Sequence, residues 1–246
     1  MIVGIILAAG KGKRFKSREP KCFIKLKGKK ILEYSLNKLA KYVDILVVAV
    51  PPKRKDILKE TEDMLRELEG EARKKNKNLK TLVVYGGKER FESFLKAFRK
   101  IQQNFELKDG DIILEHDGAR PLFSEKLLKK VISYAEKYGS AVPFITPPET
   151  IRLIKGRKEP FSFSSEIPRK RVALIQTPQA FSASLIKKAL EKNKNKIKNK
   201  SKITDLAGLI FKTSKKIKGI KGERENIKIT FPVDIKISSA ILSEDL

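Results

Sequence analysis

The chain has one cysteine, one histidine and no tryptophan, and its 29 acidic residues are outnumbered by 56 lysines and arginines. A lone thiol, Cys22, can neither close an internal disulfide nor build a cysteine metal cluster, and beside Lys21 it reads as a small filler. No apolar run approaches the ~20 residues that span a bilayer. The N-terminal strand carries neither a basic leader nor a cleavage site, so the expectation is a soluble, cytoplasmic protein. Two glycine motifs are also missing. Phe15 stands where the dinucleotide fingerprint begun by Gly10 and Gly12 needs its third glycine, and no Gly-Lys-Ser/Thr ends the loop. A Rossmann dehydrogenase and a P-loop ATPase are thereby excluded by motif.

At 246 residues and 40% hydrophobic content, the chain can bury a substantial core, and we read residues 1–246 as one α/β domain. Strand-like runs at Ile2–Leu7, Ile45–Val50, Leu82–Tyr85, Ile112–Leu114 and Ala141–Phe144 alternate with helical patterns, the rhythm of a mostly parallel sheet. Leu127, Leu128, Val131, Ile132 and Ala135 share one helical stripe, and Phe91, Phe94, Leu95, Phe98 and Ile101 share another. A helix through Ile57, Leu58, Thr61, Leu65 and Leu68 is expected to end near Gly70, with Glu71–Lys80 as a charged linker. Residues 146–170 differ: prolines at 147, 148, 160 and 168 enclose the β-like pieces Thr150–Ile154 and Phe161–Phe163, which suggests a hairpin leaving the main sheet. Lys187–Lys202 reads as a helix running into a polar loop, Ile227–Thr230 as a strand, and Val233–Leu242 as a final helix.

The formal charge of +27 concentrates in residues 11–30, 187–202 and 212–228. Such a field steers anions within a Debye length of roughly 8–10 Å and attracts RNA without specificity. These basic runs lack the interleaved aromatics on which bases stack, which favours compositional bias over dedicated nucleic-acid binding.

Residues 2–21, IVGIILAAGKGKRFKSREPK, describe an apolar strand that enters a glycine turn and leaves through Arg14 and Lys21. Ala8, Ala9, Gly10 and Gly12 are small enough for backbone N–H groups to close on phosphate oxygens, and the two cations bring positive charge to the same place. Asp117 follows another apolar strand, at the C-terminal sheet edge where α/β proteins bind ligands, and is expected to hold Mg²⁺. His116 is expected to pack and hydrogen-bond at the strand end rather than to act as a base.

The glycine segment and the following Pro20-Lys21 resemble the nucleotidyltransferases that join a sugar or polyol phosphate to a nucleoside triphosphate. Gly86-Gly87-Lys88-Glu89-Arg90 with Ser93, His116-Asp117-Gly118-Ala119-Arg120-Pro121, Gln176 to Phe181, Thr204-Asp205 and Asn226 to Thr230 follow in the order of the 2-C-methyl-D-erythritol 4-phosphate cytidylyltransferase family. The resemblance spans nearly the whole chain and implies a three-layer α/β fold with a mostly parallel, Rossmann-like sheet and a protruding β-arm. The implied reaction joins CTP to methylerythritol phosphate, in non-mevalonate isoprenoid synthesis.

By the same resemblance Arg14, Lys21 and Lys228 are catalytic, and Gly86, Gly87 and Ser93 shape the nucleotide-base pocket. Asp117, Arg120, Thr150 and Arg169 are substrate-binding: Thr150 and Arg169, with Lys228, fit the acceptor side, Arg171 competes for the place of Arg169, and Arg120 contacts the acceptor phosphate or fixes Asp117. The 146–170 arm implies a homodimer in which Thr150 and Arg169 reach the neighbouring site. Two alternatives stay open: a ribitol 5-phosphate cytidylyltransferase, which differs only in the acceptor pocket, and an inactive, basic RNA-binding protein on the same fold.

Overall fold

The computed structural model describes residues 1–10, 12, 15, 17, 19–156, 158–198, 203, 205–214 and 217–244. β1 (Ile2–Leu7) leads through the glycine turn to a 3-10 turn at Lys21–Phe23, a small hairpin of β2 (Lys25–Leu26) and β3 (Lys29–Lys30), and α1 (Ile31–Ala40). There follow β4 (Ile45–Val50), α2 (Lys55–Lys74), β5 (Lys80–Tyr85), α3 (Arg90–Asn104), β6 (Ile112–Asp117), α4 (Glu125–Tyr138) and β7 (Ser140–Ile145). An excursion formed by β8 (Ile151–Lys155) and β9 (Ser162–Ile167) precedes β10 (Leu174–Ile175) and β11 (Gln179–Ser182). The chain then runs through α5 (Ala183–Lys192), α6 (Lys194–Lys198), α7 (Leu206–Ser214), β12 (Gly219–Lys221) and α8 (Pro232–Glu244).

The main sheet has the order β10-β7-β11-β6-β1-β4-β5, with β12 paired to β7. β6, β1, β4 and β5 run parallel, and β11 inserts antiparallel between β6 and β7. Alternation along β1 explains the layering. Ile6 joins Leu32, Leu36, Leu65 and Leu128 in one core, whereas Val3, Ile5 and Leu7 join Phe94, Phe98, Ile186 and Ile210 in the other. Helices α1, α2 and α4 therefore cover one face and α3, α5 and α7 the opposite one, which makes a three-layer α/β fold. Local signals agree with these assignments: Ser124 caps α4 by accepting the Leu127 N–H at 3.0 Å, and Gly139 ends it at φ 77°.

Four expectations need correction. α2 passes through Gly70 to Lys74, because Ala72 one turn further is still buried against the core and a mid-helix glycine costs only about 1 kcal/mol. β6 extends past Leu114 to Asp117, since the charges of Glu115 and Asp117 find partners inside the fold. Residues 227–230 form no strand: Ile229 N–H donates to Ala119 O at 2.9 Å without a ladder on either side. The helix expected from Lys187 is broken between Lys192 and Lys194, and the basic stretch 199–202 lies outside the described residues.

The excursion is an antiparallel pair, Ile151 opposite Ile167 and Lys155 opposite Ser162, matching the expected arm. Among the described residues no helix is long and apolar enough to cross a membrane. Phe94 is fully buried and stacks on Phe91 and Phe98 at centroid distances of 6.2 and 5.7 Å. Phe94→Ala should lower the unfolding free energy by about 3–5 kcal/mol in urea titration, since the sheet-packed cavity cannot collapse. A loss within the noise of the titration would mean that this helix is not seated as described.

Candidate functional site

The C-terminal ends of β1 and β6, the first turn of α3 and the segment after β12 converge on an open cleft of about 160 Å³. Its lining includes Ala9, Gly10, Gly12, Lys21, Lys88, Arg90, Ser93, Asp117 and Lys228. Thus the glycine turn, the Ser93 helix start, the Asp117 strand end and the C-terminal lysine, far apart in sequence, meet at one place. Arg14 and Thr204 lie outside the described residues.

Asp117 is the centre of this arrangement. Arg90 Nε donates to its Oδ1 at 2.8 Å and Lys228 Nζ to its Oδ2 at 2.7 Å. Burial by itself would raise the carboxyl pKa, but these two cations more than offset it and hold the group well below the usual carboxylate range. The same guanidinium gives its Nη1 to Glu115 Oε1 at 2.9 Å. Glu115 is fully buried and lies beside the negative Asp117, and burial pushes its carboxyl up to about 7 in spite of Arg90. Arg90 itself is held strongly protonated: desolvation works against its charge, but Glu115, Asp117 and Asp205 outweigh it.

His116 points to the opposite face of β6 and does not line the cleft. Its Nδ1 lies 3.1 Å from Thr177 Oγ1, its Nε2 lies 3.1 Å from Ser35 Oγ and 3.2 Å from Arg120 O, and its ring packs on Phe123. Thr177 Oγ1 in turn accepts the Asp117 N–H at 2.9 Å, so the histidine steadies the strand end. Burial drives its pKa down to about 3, and the ring is neutral at physiological pH.

The small residues act by close approach as much as by donating. A Cβ on Gly86 would fall 2.3 Å from Ala9 Cβ, so the β5–α3 turn can seat directly behind the glycine loop only without a side chain. The N–H groups of Ala8, Gly86 and Gly87 are already committed, to Ala49 O, Val50 O and Ser93 Oγ respectively. The expected phosphate cradle is therefore corrected: Ala8, wholly buried, is not a donor, and Ala9, Gly10 and Gly12 remain at the cleft. Gly12 takes φ +58°, a left-handed turn that brings the loop back over Lys21. Cys22 lines the cleft with a buried thiol whose pKa burial raises to about 11, an inert filler.

Arg120 does not line the cleft. Its Nη1 and Nη2 donate to Asn226 O at 2.7 Å and Ile175 O at 3.3 Å, and its Nε is 4.0 Å from Asp117 Oδ2, so it fastens the segment bearing Lys228 to the strand end. Gln176 adds two bonds to the backbone of Glu223, and Asn226 Nδ2 donates to Thr177 O. Thr150 and Arg169 are exposed at the root of the arm, with Arg169 Nη1 on Pro148 O at 2.6 Å, and neither reaches this cleft. Reasoning from sequence missed the roles of Arg90, Glu115 and Asn226. A charged residue inside the apolar run Ile112–Leu114 and its continuation was the available signal for Glu115.

With this geometry in view, similarity to known proteins becomes decisive. A family model described as IspD, 2-C-methyl-D-erythritol 4-phosphate cytidylyltransferase, matches residues 2–244. The chain belongs to that family. A member from Clostridium botulinum (strain Eklund 17B / Type B), named 2-C-methyl-D-erythritol 4-phosphate cytidylyltransferase, is 34% identical over 246 residues, 99% of this chain and 100% of that protein. The crystal structure of 4-diphosphocytidyl-2C-methyl-D-erythritol synthase from Anaerococcus prevotii DSM 20548 superposes with a TM-score of 0.73 at 29% identity, covering 98% of both chains. The crystal structure of the 2-C-methyl-D-erythritol 4-phosphate cytidylyltransferase from Thermus thermophilus gives 0.73 at 25% identity over 99% of this chain and 100% of the other.

As this is the only histidine, its imidazole proton signals are unambiguous by NMR. They should stay flat between about pH 5 and 8. Because the folded pKa lies below that of the unfolded chain, the associated stability is present above pH ~6.5 and is lost as pH falls toward the folded value. A sigmoid centred near pH ~6.5 would show a solvated ring and refute the assignment.

Proposed function

We propose that this chain transfers a cytidylyl group from CTP to 2-C-methyl-D-erythritol 4-phosphate, giving 4-diphosphocytidyl-2-C-methyl-D-erythritol and pyrophosphate in non-mevalonate isoprenoid synthesis. The observation that carries the reading is the family match over residues 2–244, together with a cleft that gathers Lys21, Asp117 and Lys228. An oxygen of the acceptor phosphate forms a bond to the α-phosphorus, and the bond from that phosphorus to the bridging oxygen breaks, leaving the electron pair on pyrophosphate. The attacking oxygen is already ionised at neutral pH, so no side chain needs to remove a proton. What the protein supplies is position and positive charge.

Ala9, Gly10 and Gly12 bring backbone against the triphosphate, and Lys21 and Lys228 stabilise the charge that develops on the α-phosphate and leaving group. Arg14 takes part from the same loop in this reading. In this reading Ser93 borders the base from the cleft lining, and the Gly86–Gly87 turn backs the glycine loop. Mg²⁺ is commonly held by one or two carboxylates and the substrate's own phosphates, and the cleft lining offers a carboxylate at the end of β6. Asp117 would be that carboxylate, and the bound ion would supply neutralisation of the triphosphate.

The arm supports a homodimer as part of this proposal. Leu153, Ile154, Phe161 and Phe163 are 43–71% exposed, an apolar surface larger than a solitary hairpin needs. Thr150 and Arg169 at its root would then complete the partner's acceptor site. A cytoplasmic location accords with this chemistry.

Pyrophosphate release with CTP, Mg²⁺ and each acceptor tests the reading. Methylerythritol phosphate should turn over, ribitol 5-phosphate should lag far behind, and EDTA should stop the reaction. Lys21→Ala should reduce kcat by at least about a hundredfold with the fold intact by circular dichroism. Near-normal turnover in that variant, a preference for ribitol phosphate, or salt-sensitive RNA binding without turnover would each overturn it. Separately, Phe163→Glu should yield monomers in sedimentation, with activity falling alongside; a fully active monomer would remove the arm from the site.

A further inference from the structure

Glu115 is the buried charge that phosphate transfer does not use. It lies on β6 between Ile5 of β1 and Gln179 of β11, has no solvent exposure, and leaves Oε2 without a hydrogen-bond partner among the described residues. A carboxylate in such surroundings is strongly unfavourable unless a cation meets it. Arg90 has the converse difficulty. It occupies the first turn of α3, where the helix dipole opposes positive charge.

One contact answers both difficulties. The guanidinium is planar, so giving Nη1 to Glu115 at 2.9 Å fixes the direction in which Nε meets Asp117 at 2.8 Å. The two oxygens of Asp117 are thereby made unlike. Oδ1 faces a partner anchored from beneath, whereas Oδ2 faces Lys228, a flexible side chain 37% exposed on a segment outside the sheet.

We propose that Glu115 and Arg90 form a fixed clamp that orients Asp117, with Arg90 as the positioning residue and Lys228 as the exchangeable partner that releases Oδ2 when nucleotide and cation arrive. The ligands named here rest on the cytidylyltransferase reading. The competing account is that Arg90 only neutralises a buried acid, in which case the reaction is indifferent to the geometry so long as the fold survives.

Two full-length variants separate these accounts. Arg90→Lys retains the charge but replaces the two-pronged fork with a single ammonium. Glu115→Leu removes the buried charge and leaves Arg90 paired with Asp117, so folding is preserved while the anchor is lost. The clamp predicts a kcat reduced about 10–100-fold in Arg90→Lys and several-fold in Glu115→Leu, with KM for the acceptor changed by no more than about twofold. Mn²⁺ bound with α,β-methylene-CTP, followed by electron paramagnetic resonance, should weaken by about tenfold in both variants. Thermal melts should show both folded at the assay temperature.

The inference is overturned if both variants keep kcat and Mn²⁺ affinity within about twofold of the parent chain, or if each loss merely tracks the folded fraction. A parent chain that releases no pyrophosphate would instead refute the functional reading. The clamp would then be judged by the Mn²⁺–nucleotide measurement alone.

Discussion

A carboxylate taken out of water at the end of a strand must be met by cations, and at Asp117 this requirement organises the surrounding chain. Arg90 reaches it from α3, Lys228 from the segment after β12, and Arg120 stands 4.0 Å away from the following turn. Each contact ties a different layer or loop to the same atom pair. This buried charge is a structural knot, and the cost of burying it is met by groups that would otherwise repel one another.

This knot stands on a conventional frame. The parallel strands β6, β1, β4 and β5 end on one side, and the segments that follow β1, β5 and β6 border the cleft. His116 and Thr177 secure the strand end from the opposite face, so Asp117 has its backbone fixed on one side and its carboxylate on the other. Positive charge around the cleft comes from both rigid and flexible carriers. That combination suits a reaction in which two anions must first be admitted and then held in line.

Much of this was legible in the sequence, for reasons of period and spacing. The apolar runs of β1 and β4 and the aromatic stripe of α3 are unambiguous, and the glycine loop marks the cleft. Local patterns failed where long-range contacts decide. Gly70 reads as a stop signal, yet Ala72 beyond it is buried, and packing overrides the glycine. Ile227–Thr230 alternates like a strand, but the alternation serves another end: Ile229 enters a small core with Leu26 and Ile31 while Lys228 faces Asp117. Arg90 and Glu115 are 25 residues apart, and nothing local reveals that one guanidinium serves two acids.

The stretch that carries Lys228 is moored by Gln176, Arg120 and Asn226 rather than by a ladder of main-chain bonds. Exchanging a few mooring side chains can therefore shift that lysine by fractions of an ångström while the sheet stays untouched. Side-chain exchange can thus retune the charge of the cleft on this side, whereas the glycine loop, packed against Gly86, tolerates little change.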